Sequence, residues 1–402
     1  MVHGLHKSWK QPIAYFFTRD TIKTEQLKTL IKEIIIELEK ANLYILTTVC
    51  DQGATNRCAI TQLCRENSNR PEPYFVLNDH KIFTLFDPPH LIKSTRNALL
   101  KYIIKYSNTK FAKMDHIKQC FYIDKTKRFQ ALRKIRECYL TLKNQNRLKM
   151  KVCIAARTLS HTVAACIEQM VSNPCNNLPV DAINTAEFVH DMDRLFDSFN
   201  GRTPQPEMGK PYRRCLSNKS PHRALWNNLK PKIRSWEFIS VSDGKRKSKM
   251  PFKSGWLTTI DATCQLWEIC RELGFKFLRT RSLNQDPLEN LFASIRNLGA
   301  QNTTPNPYQL ISCFKTSILN NLITPTCNRN CEKDEAGILD NLQDFLQSDT
   351  NNTIPLPLFE VNELDTIKIP GLDIQFNEQE SNTAAYVAGF LIKKFKTKLQ
   401  CE

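Results

Sequence analysis

The first hundred residues alternate between short apolar runs and one longer amphipathic segment. In residues 22–40, leucine and isoleucine recur at helical spacing, which predicts an amphipathic helix. Residues 12–17, 43–50 and 81–86 are short runs rich in β-branched and aromatic residues, which predict strands, and the last two are each followed by an Asp. This order of strands and helices predicts an α/β layer with parallel pairing.

From about residue 106 the chain becomes rich in Lys and Arg, with helical spacing and no strand alternation. Apolar positions predict helices in residues 152–170 and 257–273, and the polar, proline-punctuated residues 201–222 predict loops. Residues 286–298 predict a further helix, with Asp286 as its N-cap and Pro at its first position. A second, helical region therefore follows the α/β layer.

The net charge of +17 is unevenly distributed along the 402 residues. Residues 331–380 hold twelve acidic and two basic residues, so the remainder holds 55 Lys and Arg against 28 Asp and Glu, a charge of +27. A body this basic favours a polyanionic partner such as nucleic acid, and a solvated basic surface is an equally open interpretation. The acidic composition predicts a flexible linker over residues 325–382, followed by a short basic helix over residues 383–402.

The hydrophobic content of 41% indicates a globular protein of two or three domains. No apolar run approaches the length of a membrane span, and the N-terminus has no apolar signal region, so we expect no membrane association and no export.

Three acidic residues are candidates for two-metal phosphoryl transfer. Asp51 and Asp87 each follow a predicted strand, and Glu289 lies in the first turn of the helix at 286–298. Carboxylates at strand ends and on a helix can hold two Mg²⁺ about 4 Å apart, as this chemistry requires. The alternative is structural, because an Asp after a strand usually caps a turn or a helix and Glu289 could form a capping box with Asp286.

A nucleotide site, if present, must use an uncommon scaffold. No phosphate-binding loop of the form GxxxxGK[ST] is present, and the NKSP of residues 218–221 lacks the Asp of a guanine-reading NKxD motif. Lys151 could supply a cation for phosphate, and Asp197 with Asn200 could accept hydrogen bonds from a base. Surface charge and helix capping are the alternative interpretation of these residues.

Seven blocks of the sequence, in order, resemble the P-element transposase family, which includes domesticated THAP-domain transposase-like proteins. The blocks cover the chain from residue 9 to about 395, and the third and sixth are long and unusual. They are WKQPIAYFF, CDQGATNR, FDPPHLIKSTRN, KVCIAARTLSHTVA, TAEFVHDMDRLFDSFN, NQDPLENLFASIRNLGAQNTTP and AAYVAGFLIKKF.

The resemblance implies an α/β fold in which an RNase H-like catalytic domain is interrupted by a mostly helical GTP-binding insertion domain. The expected domains are the first RNase H-like part at 1–105, the insertion at 106–275, the final RNase H-like helices at 276–324, the acidic linker at 325–382 and the basic helix at 383–402.

The resemblance also implies a DDE-type carboxylate triad that uses Mg²⁺ to cut and rejoin DNA. Its second Asp corresponds to Asp51 and its Glu to Glu289, which would be the metal ligands, with Asp87 as the reserve candidate. The implied GTP contacts are Lys151, Val152, Ser160, Asp197 and Asn200. The implied partners are transposon ends, target DNA and GTP, in the nucleus, with a homo-oligomer left open.

The chain departs from the family pattern at both ends. The strand that carries the family's first catalytic Asp precedes the WKQP block, and neither it nor the THAP zinc finger is found in this sequence. We therefore expect a DNA transposase, or a domesticated or truncated derivative, whose triad is incomplete and whose enzymatic activity is uncertain. The alternatives are a non-catalytic DNA- and GTP-binding repressor or partner of intact transposase, and a relic that folds poorly.

Overall fold

The structure is a computed structural model that describes residues 1–5, 9–66, 72–141, 146–299, 302 and 304–319. The strands are β1 (Val2–His3), β2 (Lys10–Gln11), β3 (Thr47–Cys50), β4 (Tyr74–Leu77), β5 (His80–Phe86), β6 (Tyr102–Tyr106), β7 (Lys110–Ala112), β8 (Glu237–Ser240) and β9 (Arg246–Lys247). The helices are α1 (Thr24–Lys40), α2 (Ala54–Arg65), α3 (Pro88–Leu99), α4 (Met114–Thr126), α5 (Asn146–Lys149), α6 (Val152–Thr158), α7 (His161–Val171), α8 (Ala182–Ser198), α9 (His222–Arg234), α10 (Pro251–Glu272), α11 (Asp286–Leu298) and α12 (Pro307–Leu319). The predicted linker and C-terminal basic helix lie outside the described residues.

A three-stranded sheet with the order β3-β5-β4 carries the parallel pair that the sequence predicts. β3 and β5 run parallel, with Thr47 opposite Phe83 and Cys50 opposite Phe86. β4 and β5 form an antiparallel hairpin whose two turn residues, Asn78 and Asp79, both have positive φ. This is the conformation of a tight hairpin turn, and Asn and Asp tolerate it better than most residues. The parallel pairing brings the carboxyl ends of β3 and β5 to one edge.

A second, antiparallel sheet has the order β7-β6-β8-β9, and it corrects the expectation that strands end near residue 106. β6 pairs with β8, which lies some 130 residues later in the chain. Phe238 on β8 is buried, as is Trp236 just before it. The strands after residue 106 have only two to four residues each, too few for a period-2 pattern to stand out.

The helix predictions are confirmed in position but differ in extent. α1 matches its predicted range closely, and α10 begins six residues earlier than predicted because Pro251 opens it. The predicted helix at 152–170 is two helices, α6 and α7. The break occurs at Ser160, whose side chain accepts a hydrogen bond from the Val163 amide and so starts α7 as its N-cap.

The predicted strand at residues 12–17 is wrong, because this segment has no regular structure. Tyr15, Phe16 and Phe17 are about half exposed, and the Tyr15 ring meets the rings of Phe17 and Phe314 edge to face. Pro12 lacks an amide proton, and no described strand pairs with the segment. Its aromatic residues therefore reflect ring packing rather than a sheet.

One apolar core runs from the β3-β5-β4 sheet through α3 and α10 to α7 and α8. Four fully buried tryptophans lie in it, and three of them donate their indole N–H: Trp256 to Thr95, Trp226 to Ser198 and Trp267 to Asn218. α10 packs on β5, where the Thr259 hydroxyl bonds to the backbone of Phe86. The core therefore fixes the end of β5 against both α3 and α10. Among the described residues no helix has the length and apolar character to cross a membrane.

Candidate active site and nucleotide-binding region

Asp87 is a buried junction between three elements. It follows β5 and caps α3, where its Oδ2 accepts the His90 amide at 3.0 Å. Its Oδ1 accepts the amide of Gln285, which comes directly before α11, at 2.8 Å. The side chain is only 1% exposed, and this burial raises its pKa to about 6, against the opposing effects of the His90 charge and the two amides. Asp87 is therefore both a helix cap and a destabilised buried charge.

Glu289 projects from the first turn of α11 toward α3. The His90 ring nitrogen Nε2 donates to Glu289 Oε1 at 3.1 Å, and the ammonium of Lys93 lies 4.0 Å from the same oxygen. The side chains of His90 and Glu289 are about one quarter exposed, whereas that of Lys93 is buried. Glu289 therefore faces α3 on the side of the cluster that solvent reaches.

Asp87, His90 and Glu289 form a cluster that could hold a metal ion. One ligand atom from each residue lies within 4.8 Å of those of the other two. The structure thus brings the reserve candidate Asp87 together with Glu289. Sequence reasoning missed His90 and Lys93, although both lie in the DPPHLIK block on one turn of α3.

Asp51 lies at the same sheet edge but outside this three-residue cluster. Its Oδ1 accepts the Gly53 amide at 2.8 Å and the Asn56 side-chain amide at 2.7 Å, which makes the turn into α2. The neighbouring residue, Cys50, accepts the Asp87 amide with its carbonyl oxygen at 2.9 Å. Burial raises the pKa of the Cys50 thiol to about 12, and the charges of Asp51 and Asp87 add to the effect. Asp51 and Asp87 therefore lie side by side at the carboxyl ends of the paired strands β3 and β5.

Gln285 explains how a helix some 200 residues later reaches this edge. Its backbone amide binds Asp87, and its side-chain amide donates to the Val49 carbonyl at 3.5 Å. Gln285, and not the predicted Asp286, is the N-cap position of α11. Asp286 instead accepts hydrogen bonds from Arg281 and Asn284, and its own amide donates to the Asn284 side chain. The turn before α11 is thereby tied to both strand ends.

Lys151, Val152 and Ser160 lie at the starts of two successive helices. Lys151 is the exposed N-cap residue of α6, Val152 is buried in its first turn, and Ser160 caps α7. α7 packs along α8, and the rings of His161 and His190 meet at 4.8 Å between centroids. Asp197 lies about two turns, or ~10 Å, beyond His190 on α8.

Asp197 and Asn200 lie at the C-terminal end of α8, and both are buried. The ammonium of Lys210 bridges the two Asp197 oxygens at 3.0 and 2.9 Å. Burial raises the pKa of Asp197, while Lys210 opposes this shift. Gly201 follows, and a Cβ at this position would lie 1.8 Å from the Arg214 carbonyl oxygen, so only glycine fits.

Comparisons with known proteins place these features in one family. Residues 1–64 match the family model of the TNP-like RNase H N-terminal domain, and residues 89–211 match that of the TNP-like GTP-binding insertion domain. The transposable element P transposase of Drosophila melanogaster is 26% identical over 405 residues, which cover 98% of this chain and 51% of that protein. The solved Drosophila P element transposase strand transfer complex matches with a TM-score of 0.66 and 26% identity, covering 79% of this chain and 68% of that one.

The two matched family models and the similarity over nearly the whole chain support a place for this chain in the P-element-type transposase family. The predicted fold class, an RNase H-like domain interrupted by an insertion of the GTP-binding type, is confirmed. The chain spans about half the length of the curated relative that it matches.

The ranges that match the two family models contain some of the candidate residues. Asp51 lies inside the RNase H match, and all five predicted nucleotide contacts lie inside the GTP-binding match. Asp87 and Glu289 lie outside both ranges. Their assignment to a metal site therefore depends on the geometry described above, and it stays a prediction, as do the domain bounds.

Proposed function

We propose that this transposase family member acts on DNA by metal-dependent phosphoryl transfer, with Asp51, Asp87 and Glu289 as the carboxylates of its site. One observation carries the proposal. The ends of two parallel strands and the start of a helix some 200 residues away deliver acidic side chains to a single sheet edge. α/β proteins form their sites at such edges, and phosphoryl transfer needs converging carboxylates.

The residues at this edge fit a divalent cation of the Mg²⁺ class. Carboxylate oxygens are the ligands that Mg²⁺ prefers. Asp87 is buried as a carboxylate with a raised pKa, a cost that a nearby cation would offset. When bound, Mg²⁺ would activate an attacking oxygen and stabilise the leaving one.

The protein's own side chains have separable tasks in this proposal. Asp87 follows β5 and accepts amides at the starts of α3 and α11. It thereby fixes the position of the first turn of α11, which carries Glu289. His90 binds one oxygen of Glu289. The buried ammonium of Lys93 lies near the same oxygen and acts as its counter-charge. Asp51 approaches from the other strand, with its Oδ1 fixed by the Gly53 amide.

Metal binding tests the site directly. Titration of the full chain with Mn²⁺, followed by the loss of the free-ion electron paramagnetic resonance signal, should show binding that Glu289→Gln weakens at least tenfold. Glu37→Gln is the matched control, because Glu37 is an exposed carboxylate on α1 that pairs only with Lys40 among the described residues. Equal binding by the parent and Glu289→Gln would refute the site.

A strand-transfer assay tests the chemistry separately from metal binding. The chain is incubated with a DNA duplex, a target plasmid and Mg²⁺, and joined products are counted. The proposal expects that any product disappears in Asp51→Asn and Glu289→Gln, and products that persist in both variants would refute the proposed roles. The sequence-based expectation that this chain alone yields little product stays a prediction, which the parent's yield tests.

We further propose that the insertion binds GTP near the C-terminal end of α8. Asp197 offers two acceptor oxygens, the number needed for the two N–H groups on the guanine edge, and Lys210 now occupies both. Base recognition through Asp197 therefore requires that Lys210 move aside. Ser160 and Lys151 are the candidates for the phosphate end.

Calorimetry with GTP and ATP tests this assignment. We expect GTP to bind more tightly than ATP, and Asp197→Ala to remove the preference. Asp193→Ala is the matched control, because Asp193 lies one turn earlier on α8. If the parent has no preference for GTP, the guanine-reading role of Asp197 is wrong.

The proposal also predicts a nuclear location, because the DNA substrates of such a protein lie there. Fluorescence of a tagged full chain in cells should concentrate in the nucleus. Uniform exclusion from the nucleus would contradict it.

A further inference from the structure

A short segment after α4 concentrates positive charge. Residues 125–136, which we call the basic segment, contain six Lys and Arg residues and no Asp or Glu. Five of these six residues are exposed, among them Arg128, Arg133 and Lys134. Like charges this close repel one another, so the segment stores an electrostatic cost that a polyanion would relieve.

The backbone of the basic segment is held in place despite its irregular conformation. Asp124, buried at the end of α4, accepts the amides of Ala131 and Leu132 at 3.0 and 2.9 Å. The side chains of Leu132 and Ile135 are buried in the core. The fixed backbone presents the cations in a defined arrangement, which lowers the entropy lost on binding.

The cations of the basic segment are not neutralised by the parts of the chain that the structure describes. No ion pair joins any of the six to a described carboxylate, and the hydrogen bond of the Arg133 side chain goes to a backbone carbonyl, that of Gln130. Lysines on α1 behave differently, since Lys28 and Lys32 both pair with Glu66. The charge of the basic segment is therefore available to an external partner.

An exposed aromatic ring lies in the middle of these charges. Phe129 is 76% exposed, more than any other described phenylalanine, and the Arg128 guanidinium lies 5.6 Å from its ring centre. A phenyl ring left in water forgoes the stabilisation that burial of its apolar surface would give. A ring flanked by cations has the composition of a stacking platform for a nucleic-acid base.

We infer that the basic segment binds DNA that has unpaired bases, such as a single-stranded end. The six cations contact phosphates, and a splayed base stacks on Phe129. A fully paired duplex contacts only the cations of the basic segment, because its bases are stacked on one another and cannot stack on Phe129. The inference rests on the proposed action on DNA and names a surface of the insertion that this action would use.

Fluorescence anisotropy with labelled DNA tests this inference across a range of salt concentrations, in EDTA so that no metal chemistry intervenes. The probes are a blunt duplex, the same duplex with a single-stranded tail, and a single-stranded RNA of the tail sequence. The variants are Arg128→Ala/Arg133→Ala/Lys134→Ala and Phe129→Ala. The control is Lys28→Ala/Lys32→Ala/Lys40→Ala, which removes the same charge from cations that are paired.

We expect the triple basic-segment variant to lower the salt dependence for both DNAs by about two to three in the log–log slope, at 0.7–0.9 per phosphate contact. Phe129→Ala should weaken binding of the tailed DNA at least about fivefold and leave the blunt duplex within twofold. The control variant should bind as the parent does. Circular dichroism melting confirms that each variant is folded.

Three outcomes would overturn the inference. The first is a triple variant whose affinity and salt slope equal those of the parent. The second is a charge effect without any effect of Phe129→Ala, which would assign the surface to duplex alone. The third is RNA bound more than tenfold tighter than the tailed DNA. Failure of the proposed function is distinguishable, since it appears as intact DNA binding with no Glu289-dependent Mn²⁺ binding.

Discussion

Replacing Asp87 with Asn removes a buried negative charge while keeping the size of the side chain. In the parent the two carboxylate oxygens accept the amides of His90 and Gln285. Asn has a single acceptor oxygen, so one of these amides loses its partner, at a cost of about 1–3 kcal/mol that does not depend on pH. The charge contributes a second effect that does depend on pH.

The sign and size of that effect follow from burial. Burial raises the pKa of Asp87 from its ordinary value of 3.8 to about 6 in the folded protein, so the folded state holds the proton more tightly than the unfolded state. The corresponding stability is fully present below pH 3.8 and is lost as the pH rises through about 6. At about 1.4 kcal/mol for each tenfold change, the full loss is about 3 kcal/mol, of which about 2 kcal/mol falls between pH 4.5 and 7.5.

Urea unfolding of the parent and Asp87→Asn at several pH values, in EDTA, isolates this effect. The free energy of unfolding of the variant minus that of the parent should rise by about 2 kcal/mol from pH 4.5 to pH 7.5, because only the parent gains a buried charge. All other titrating groups are shared and cancel in the difference, to the extent that they do not interact with Asp87. A difference that stays constant within about 0.5 kcal/mol would refute the argument that burial sets the pKa of Asp87.

The other predictions concern the cation, two glycines and one helix cap. Mg²⁺ at ten times its dissociation constant should raise the free energy of unfolding of the parent by about 1.4 kcal/mol, and Glu289→Gln should abolish most of this gain in thermal melts. Gly201→Ala should destabilise the protein by about 3 kcal/mol or more in urea unfolding, because the new Cβ meets the Arg214 carbonyl. Gly209→Ala, where a Cβ meets open space, should cost only about 1 kcal/mol, from its positive φ. Ser160→Ala should lower stability by about 1 kcal/mol through loss of the α7 cap, and Ser160→Asp should retain the parent's stability, so equal losses in both would contradict the capping role.

Local patterns located most of the elements around the candidate site. The apolar runs before Asp51 and Asp87 are strands in one parallel pair, and the periodicity of residues 286–298 is the helix that carries Glu289. The same patterns failed where partners are distant. The apolar residues at 12–17 read as a strand, but a strand exists only when another strand pairs with it. β8 was missed because its partner, β6, lies far back in the sequence.

The chemistry of the site divides in the same way. The sequence by itself determined the candidate carboxylate ligands, although not His90, because the types of side chain and their positions after strands or in a first turn are local properties. It also supplied the long motifs that carry the resemblance to the transposase family. The tertiary structure alone decided that Asp87 lies with His90 and Glu289 while Asp51 approaches from the adjacent strand. The physical reason is that this geometry depends on two hydrogen bonds from Gln285 across about 200 residues, and side-chain contacts at such a separation leave no periodic trace in the sequence.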